Sequence, residues 1–515
     1  MKHLEFKGLY IIFIGLIASA FFLFGCGGEE VTVSRLVVGI EEGPDNLDPR
    51  IGNSLGASRF HQLCFNRLVL LDENGLPVPD LAERWERPDE TTYVFHLRKG
   101  VRFHQGGACT SKDVIYTYRS ILDGEVISSK KAALEVIDRI EASDDHTVAF
   151  HLKESFSPFL VNLSIGIIPE GAGEKFSRDP GGTGPYRLKQ YLPEQQILLE
   201  ANQNYFDGPP HYQEILLRII PNAGIRALEL EKGSIDMVVN DLNPDDVIRL
   251  KDFETLQVHT ETGTNYHYIG FNMRDPILKN RKVRQAIGHA IDRKKIIRTI
   301  LRGLAEPATG LLAPNNWAYN PEVYRYRYDP ELARKLLDEA GYPDPDGDGP
   351  GTRFSLTFKT STNKLSKQKA EIYKEYLRST GIGVSIRSFE WATFYSDIKK
   401  GDFQIYSLIW TGIEHGDIYR TRFHSSAVPP FGFNRGYYGN TEVDQLIERS
   451  KTTLETGELK KIYGRIQEII AEEAPYISLW YGTNIVVMKK GIAGFELTPS
   501  ASFRPLAKTY FEGRQ

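Results

Sequence analysis

Tyr93-Val94-Phe95-His96-Leu97-Arg98-Lys99-Gly100-Val101-Arg102-Phe103-His104 opens with large apolar side chains at every second position. That is the period of a strand with one face in a core and one in water, and the rest of the run reads as a strand and turn. The same period returns at Val148-Ala149-Phe150-His151-Leu152 and at Phe354-Ser355-Leu356-Thr357-Phe358. Ile215–Ile220 is apolar on both faces except at Arg218 and reads as a more fully buried strand. Helical spacing lies between these strands. Val283, Ile287, Ala290, Ile291, Ile297 and Leu301 form one stripe, which predicts a helix over 283–301 with Arg284, Lys294, Lys295 and Arg298 on its solvated face. Asp329-Pro330 is a cap followed by proline at the first helical position. The pattern then runs through Leu332, Leu336 and Leu337 and stops at Gly341, with Pro343 beyond. Interleaved strands and helices predict an α/β or α+β chain. No repeat and no low-complexity linker breaks it, which favours lobes joined by crossing strands over separate beads.

The chain has 515 residues, long enough for about three domains. Its 63 Lys+Arg against 67 Asp+Glu leave no basic excess to release counterions, so nucleic acid is not an expected partner. Three cysteines cannot make a disulfide scaffold. The N-terminus carries Lys2 and Lys7, then an apolar core from Leu9 to Phe24. This core is short for a spanning helix and fits a signal peptide. It ends in Leu23-Phe24-Gly25-Cys26-Gly27-Gly28, which resembles the lipobox of bacterial lipoproteins. The resemblance implies a signal peptide over 1–25, a lipid on Cys26, and a linker over 26–34. The alternative is an uncleaved anchor, and both readings place the chain outside the cytoplasm. Cys64 and Cys109 then sit in an oxidising compartment, either bridged or buried as two separate thiols.

Motifs of chemistry are weak. Gly52-Asn53-Ser54-Leu55-Gly56 matches the nucleophile-elbow pattern, but Asp48-Pro49-Arg50 stands where a strand should precede it. Gly181-Gly182-Thr183-Gly184-Pro185-Tyr186 lacks the Lys-Ser/Thr ending of a phosphate loop, and Pro185 removes a donor. Asp344, Asp346 and Asp348 occupy the first acidic positions of a calcium loop, yet Ser355 stands where its closing glutamate belongs, so a polar surface turn is preferred. Neither histidine nor cysteine spacing suggests a metal site, and no cofactor is expected.

Blocks in one order along the chain resemble the family 5 extracellular solute-binding proteins, receptors of oligopeptide, dipeptide and nickel importers. They are Asn46-Leu47-Asp48-Pro49 with Asn66-Arg67-Leu68-Val69, then Leu81-Ala82-Glu83-Arg84-Trp85 with Tyr93–His104 and Thr110–Val114. Gly182-Thr183-Gly184-Pro185-Tyr186, Val283–Ile287 with Ala290-Ile291-Asp292-Arg293, and Glu442–Ile447 follow. The resemblance implies an α/β fold, a bilobal periplasmic-binding-protein type II clamshell with an extra subdomain in the first lobe. It implies a first lobe from 35–68, 181–265 and 486–515, a subdomain from 69–180, and a second lobe from 266–485.

Peptide-binding members have a Trp closely followed by an Asp that pairs with the peptide's ammonium group. Here the stretch is Trp410-Thr411-Gly412-Ile413-Glu414-His415-Gly416-Asp417. Ile413 stands where that Asp is expected, so the resemblance carries over to Trp410 as a cleft aromatic and to Glu414 and Asp417 as the candidate acids. A buried cation needs such a partner. The expected function is capture of a small solute, a peptide first, and its delivery by hinge closure to the permease and ATPase subunits of an ABC importer. The receptor is expected as a lipid-anchored monomer with no catalytic residue. A metal chelate, an oligosaccharide or an opine is the rival ligand, a signalling role is a further one, and a hydrolase using Ser54 or the Glu414–Asp417 pair is a remote one.

Overall fold

The computed structural model describes residues 34–512 except Asp348 and Pro350. The leader 1–25, Cys26 and most of the linker therefore lie outside the described residues. One mixed sheet of eleven strands dominates. Its order is Ile382–Phe389, Phe354–Ser361, Ile405–Trp410, Leu256–Phe271, Tyr476–Lys489, Met237–Val239, Arg35–Ile40, Glu214–Ile219, Gln196–Ala201 and Tyr186–Leu192, with Ala305–Pro307 beside Tyr476–Lys489.

Two long antiparallel strands, Leu256–Phe271 and Tyr476–Lys489, form the waist of this sheet. Residues 256–262 pair with 483–489 in one half, and 266–270 pair with 476–481 in the other. Between them the register shifts at Thr262/Tyr266 and again at His267/Tyr268. Extra residues in one strand of a pair bend and twist the ribbon, so the two halves meet at a bent seam. Parallel strands on both sides aim their carboxyl ends at it. Val239 lies opposite Val486 on one side, and Trp410 lies opposite Tyr266 on the other.

The strand expected at 93–97 is present as Thr92–Leu97, and that at 148–152 as Thr147–Leu152. They are the central pair of a separate four-stranded antiparallel sheet. Both alternate buried and half-buried along their length, and Phe95, Phe150 and Tyr118 pack edge to face beneath them. Glu214–Ile219 is a central parallel strand beside Arg35–Ile40, as its apolar run predicts. Asp329 caps the helix Pro330–Glu339 by accepting from the Leu332 amide at 2.9 Å, and Gly341 follows in the left-handed region.

Two expectations change. The helix predicted over 283–301 is two helices, Arg281–Ala290 and Arg293–Thr299. The break falls where the Asp292 side chain turns to cap the second by accepting from the Lys295 amide. Arg284 is not solvated: it is 5% exposed and donates to the carbonyls of Leu278, Lys279, Glu473 and Ala474. Of the two readings open for Cys64 and Cys109, separate burial is the one observed: each lies in a different hydrophobic cluster, and burial pushes both thiols up. Ser54 is a helix cap whose hydroxyl accepts from the Ala57 amide at 3.0 Å. Asp346 accepts from the Gly351 amide, so it closes a turn, while Asp348 lies outside the described residues.

Loops that looked unremarkable hold the first half together. Asp48 and Arg50 form a buried ion pair at 2.7 Å, and Arg50 also donates to Ser120 in the subdomain helix Ser111–Leu122. Asp80 receives Asn66, the Arg67 amide and Arg504. Phe503 and Leu506, near the C-terminus, pack in the same core as Leu36, Val38 and Phe60. Gly182 must be glycine, because a Cβ there would meet the Cys64 carbonyl at 1.9 Å.

His104 accepts from the Gly182 amide with Nδ1 and donates from Nε2 to the Gly184 carbonyl, which requires a neutral ring. Burial holds it down at about 4, and burial with Lys130 and Arg67 nearby holds His61 at about 3. Unfolded histidines titrate near 6.5, so below that pH the unfolded chain binds more protons than the folded one. Stability is expected to be full above pH 6.5 and to fall as pH drops toward 4. The slope is up to ~1.4 kcal/mol per pH unit for each ring. Urea midpoints at pH 7 and 5 measure it, and equal midpoints would contradict it.

Candidate ligand-binding site

The strand Phe354–Ser361 lies between Ile382–Phe389 and Ile405–Trp410 and is parallel to both. Its following helix, Lys364–Arg378, covers one face of the sheet, with Tyr373 and Leu377 packed near Ile405 and Phe358. The next helix, Trp391–Lys400, covers the other face, with Phe394 and Ile398 near Tyr406 and Tyr268. Connections leaving a strand to opposite faces open a crevice at its carboxyl end, the common place for ligands in α/β sheets. A cavity of about 330 Å³ occupies it.

Its wall is rich in hydroxyls from Thr360, Ser361, Ser366 and Ser407, with Lys369 among them. Lys369 has no carboxylate within ion-pair distance among the described residues; its ammonium lies 5.8 Å from the Trp480 ring centre. Burial pushes it down to about 8. The Tyr373 hydroxyl, in a side chain 1% exposed, faces Ser407 in the same wall. Trp391 shelters the mouth and is 56% exposed.

Thr411 lines the same cavity and leads directly into the segment singled out by sequence. Alternation along Ile405–Trp410 turns Trp410 to the other face, where it is 8% exposed and stacks on Tyr268 with ring centres 5.9 Å apart. The guanidinium groups of Arg422 and Arg435 lie 4.3 and 4.6 Å from its ring centre. Neither arginine has a carboxylate within ion-pair distance among the described residues.

Glu414 is half-buried. Burial raises its carboxyl above the usual range, and Arg67, from the loop after the helix Leu55–Cys64, together with a hydrogen bond from Ser500, offsets this only in part. Its carbonyl accepts from Asn316 at 2.7 Å, and Gly75 packs so closely that a Cβ would meet that oxygen at 2.1 Å. With the Trp317 amide donating to the Asn74 carbonyl, the turn at 72–76 rests on the second half beside Glu414. Asp417 is already neutralised: Arg420 grips it at 2.8 and 3.0 Å. Ile413 is 1% exposed in the core. The structure thus sets Glu414 beside the seam, pairs Asp417 internally and buries Trp410. Sequence reasoning missed Lys369, Tyr373, Arg422 and Arg435.

The chain matches the model of the bacterial extracellular solute-binding proteins, family 5 Middle, over residues 77–427. It belongs to that family. It is 29% identical to the oligopeptide-binding protein AppA of Bacillus subtilis, over 96% of this chain and 97% of that one. It is also 29% identical to heme-binding protein A of Haemophilus influenzae, over 87% and 86%. The solved structure of B. subtilis AppA in complex with a nonapeptide superposes with a TM-score of 0.78, covering 93% of this chain and 98% of that one. The sheet, the waist and the four-stranded subdomain are therefore those of a bilobal clamshell binding protein, and the chain is a solute-binding protein of a family that works outside the cytoplasm. Among the described residues no helix is long and apolar enough to cross a membrane.

Proposed function

We propose that this protein captures short peptides and delivers them to the permease of an ABC importer. Two opposite charges, neither in an ion pair among the described residues, carry the reading: Lys369 in a hydroxyl-lined cavity and Glu414, which has only the Ser500 hydroxyl and the more distant Arg67 beside it. Thr411 lines the cavity that holds Lys369, and Glu414 follows it by three residues, a span of at most about 11 Å. A zwitterion supplies both missing charges, an ammonium for Glu414 and a carboxylate for Lys369. Each pairing becomes strong only when closure removes water, so binding and closure reinforce one another. Glu414 takes the role left by Ile413, while Asp417 positions Arg420, and binding rather than catalysis is the activity.

The lobes of this clamshell are assigned as 35–68, 181–265 and 486–515 for the first, 69–180 for its subdomain and 266–485 for the second. A lipid on Cys26 holds the receptor at the membrane and raises its concentration near the permease. Passing a tryptic digest of a bulk protein over the immobilised receptor tests the ligand class, with mass spectrometry of what is retained. Peptides are expected to be retained, and acetylating their amino groups is expected to reduce retention more than tenfold. Retention indifferent to acetylation, or retention of no peptide, would overturn the reading.

A further inference from the structure

A second and larger cavity, of about 710 Å³, lies in the half of the sheet that holds residues 266–481, and it shares no lining residue with the first. Its floor is aromatic: Tyr266, Tyr419 and Tyr476 are each 6% exposed or less. The hydroxyl of Tyr266 meets Ser478 at 2.7 Å, that of Tyr419 faces the backbone of Leu311 and Leu312, and that of Tyr476 faces Tyr268 and Tyr406.

Its wall is cationic. Arg293, Lys294, Arg325 and Arg327 line it against the single acid Asp292. Arg293 is 8% exposed and donates to the Gly288 carbonyl at 3.0 Å. No carboxylate lies within ion-pair distance of it among the described residues. A buried guanidinium without a carboxylate is the residue type suited to a planar oxyanion held by two parallel hydrogen bonds. The volume falls within the range of small-molecule sites.

We propose that this cavity is a second binding site, for a small aromatic carboxylate whose anion faces Arg293 and whose ring lies on the tyrosine floor. It is distinct from the peptide site and does not depend on that reading. Calorimetric titration of the purified protein with 3-phenylpropanoate tests it, with 3-phenylpropan-1-ol as the uncharged control. The acid is expected to bind one to one and the alcohol at least tenfold more weakly. Ala308→Phe, which fills the cavity from its wall, is expected to abolish binding while leaving the thermal midpoint near that of the wild type. Tyr476→Phe removes one hydroxyl from the floor and keeps the ring, so it keeps the fold if Ala308→Phe does not, and it is expected to weaken binding severalfold. Binding must persist in Lys369→Met, which alters the other cavity. Absence of binding at millimolar acid, equal binding of the alcohol, or loss of binding in Lys369→Met alone would overturn the proposal.

Discussion

Lys369→Met is expected to weaken binding of a peptide with a free carboxylate by more than tenfold and to abolish its dependence on alkaline pH. The lysine sits at about 8 because burial disfavours its charge, and only the ammonium form can hold a carboxylate. Wild-type affinity is therefore expected to be full below about pH 8 and to decline as pH rises through it. On the acid side Glu414 sets the limit. Its pKa is raised above the ordinary 4.5, so its grip on an ammonium group is present above that raised value and is lost as pH falls through it. Methionine keeps the length and apolar stem of lysine and removes an unpaired buried charge. The variant should be as stable as the wild type or more so, which separates lost affinity from lost fold. Lys369→Arg supplies a permanent charge and should retain binding at pH 9. Titration calorimetry across pH 5–10 reads all three proteins. Affinity within twofold of wild type in the methionine variant, with the alkaline decline intact, would remove Lys369 from the site.

Asp48→Asn is expected to cost about 3–5 kcal/mol of stability, because it strands the Arg50 guanidinium in a site where both side chains are 2% exposed or less. Arg50 also bonds Ser120, so the damage should spread to the docking of the subdomain helix. Replacing both partners, in Asp48→Asn with Arg50→Met, removes the stranded charge and should recover much of the loss. Urea unfolding of the single and double variants measures this. A single variant within about 1 kcal/mol of wild type would show that water reaches the arginine.

The strands at 93–97 and 148–152 were legible because each has one buried and one wet face, which writes the period into the chain. Asp329 and Gly341 were legible because helix ends are decided locally. Arg284 was not, since nothing in a helical stripe tells a solvated flank from one that meets the carbonyls of residues 473 and 474, nearly two hundred residues away. Lys369 was hidden for a related reason. It follows Lys364 and Lys367 and looks like part of a wet face until two strands close over it. The Asp417–Arg420 pair was in reach of sequence, because side chains three apart on a helix are neighbours. The cysteines belong to separate cores, a matter of topology that spacing alone does not express.

The place of the C-terminal segment in this sheet has a consequence for how the chain is made. Arg35–Ile40 is the first strand synthesised, yet its neighbour Met237–Val239 is completed by Tyr476–Lys489, and Phe503, Leu506 and Arg504 finish the surrounding core. The first half therefore cannot become stable until almost the whole polypeptide has left the ribosome, because its contacts span the full length of the chain. A topology in which the last residues seal the first described strand leaves the early part of the nascent chain without its closing contacts until synthesis is nearly complete.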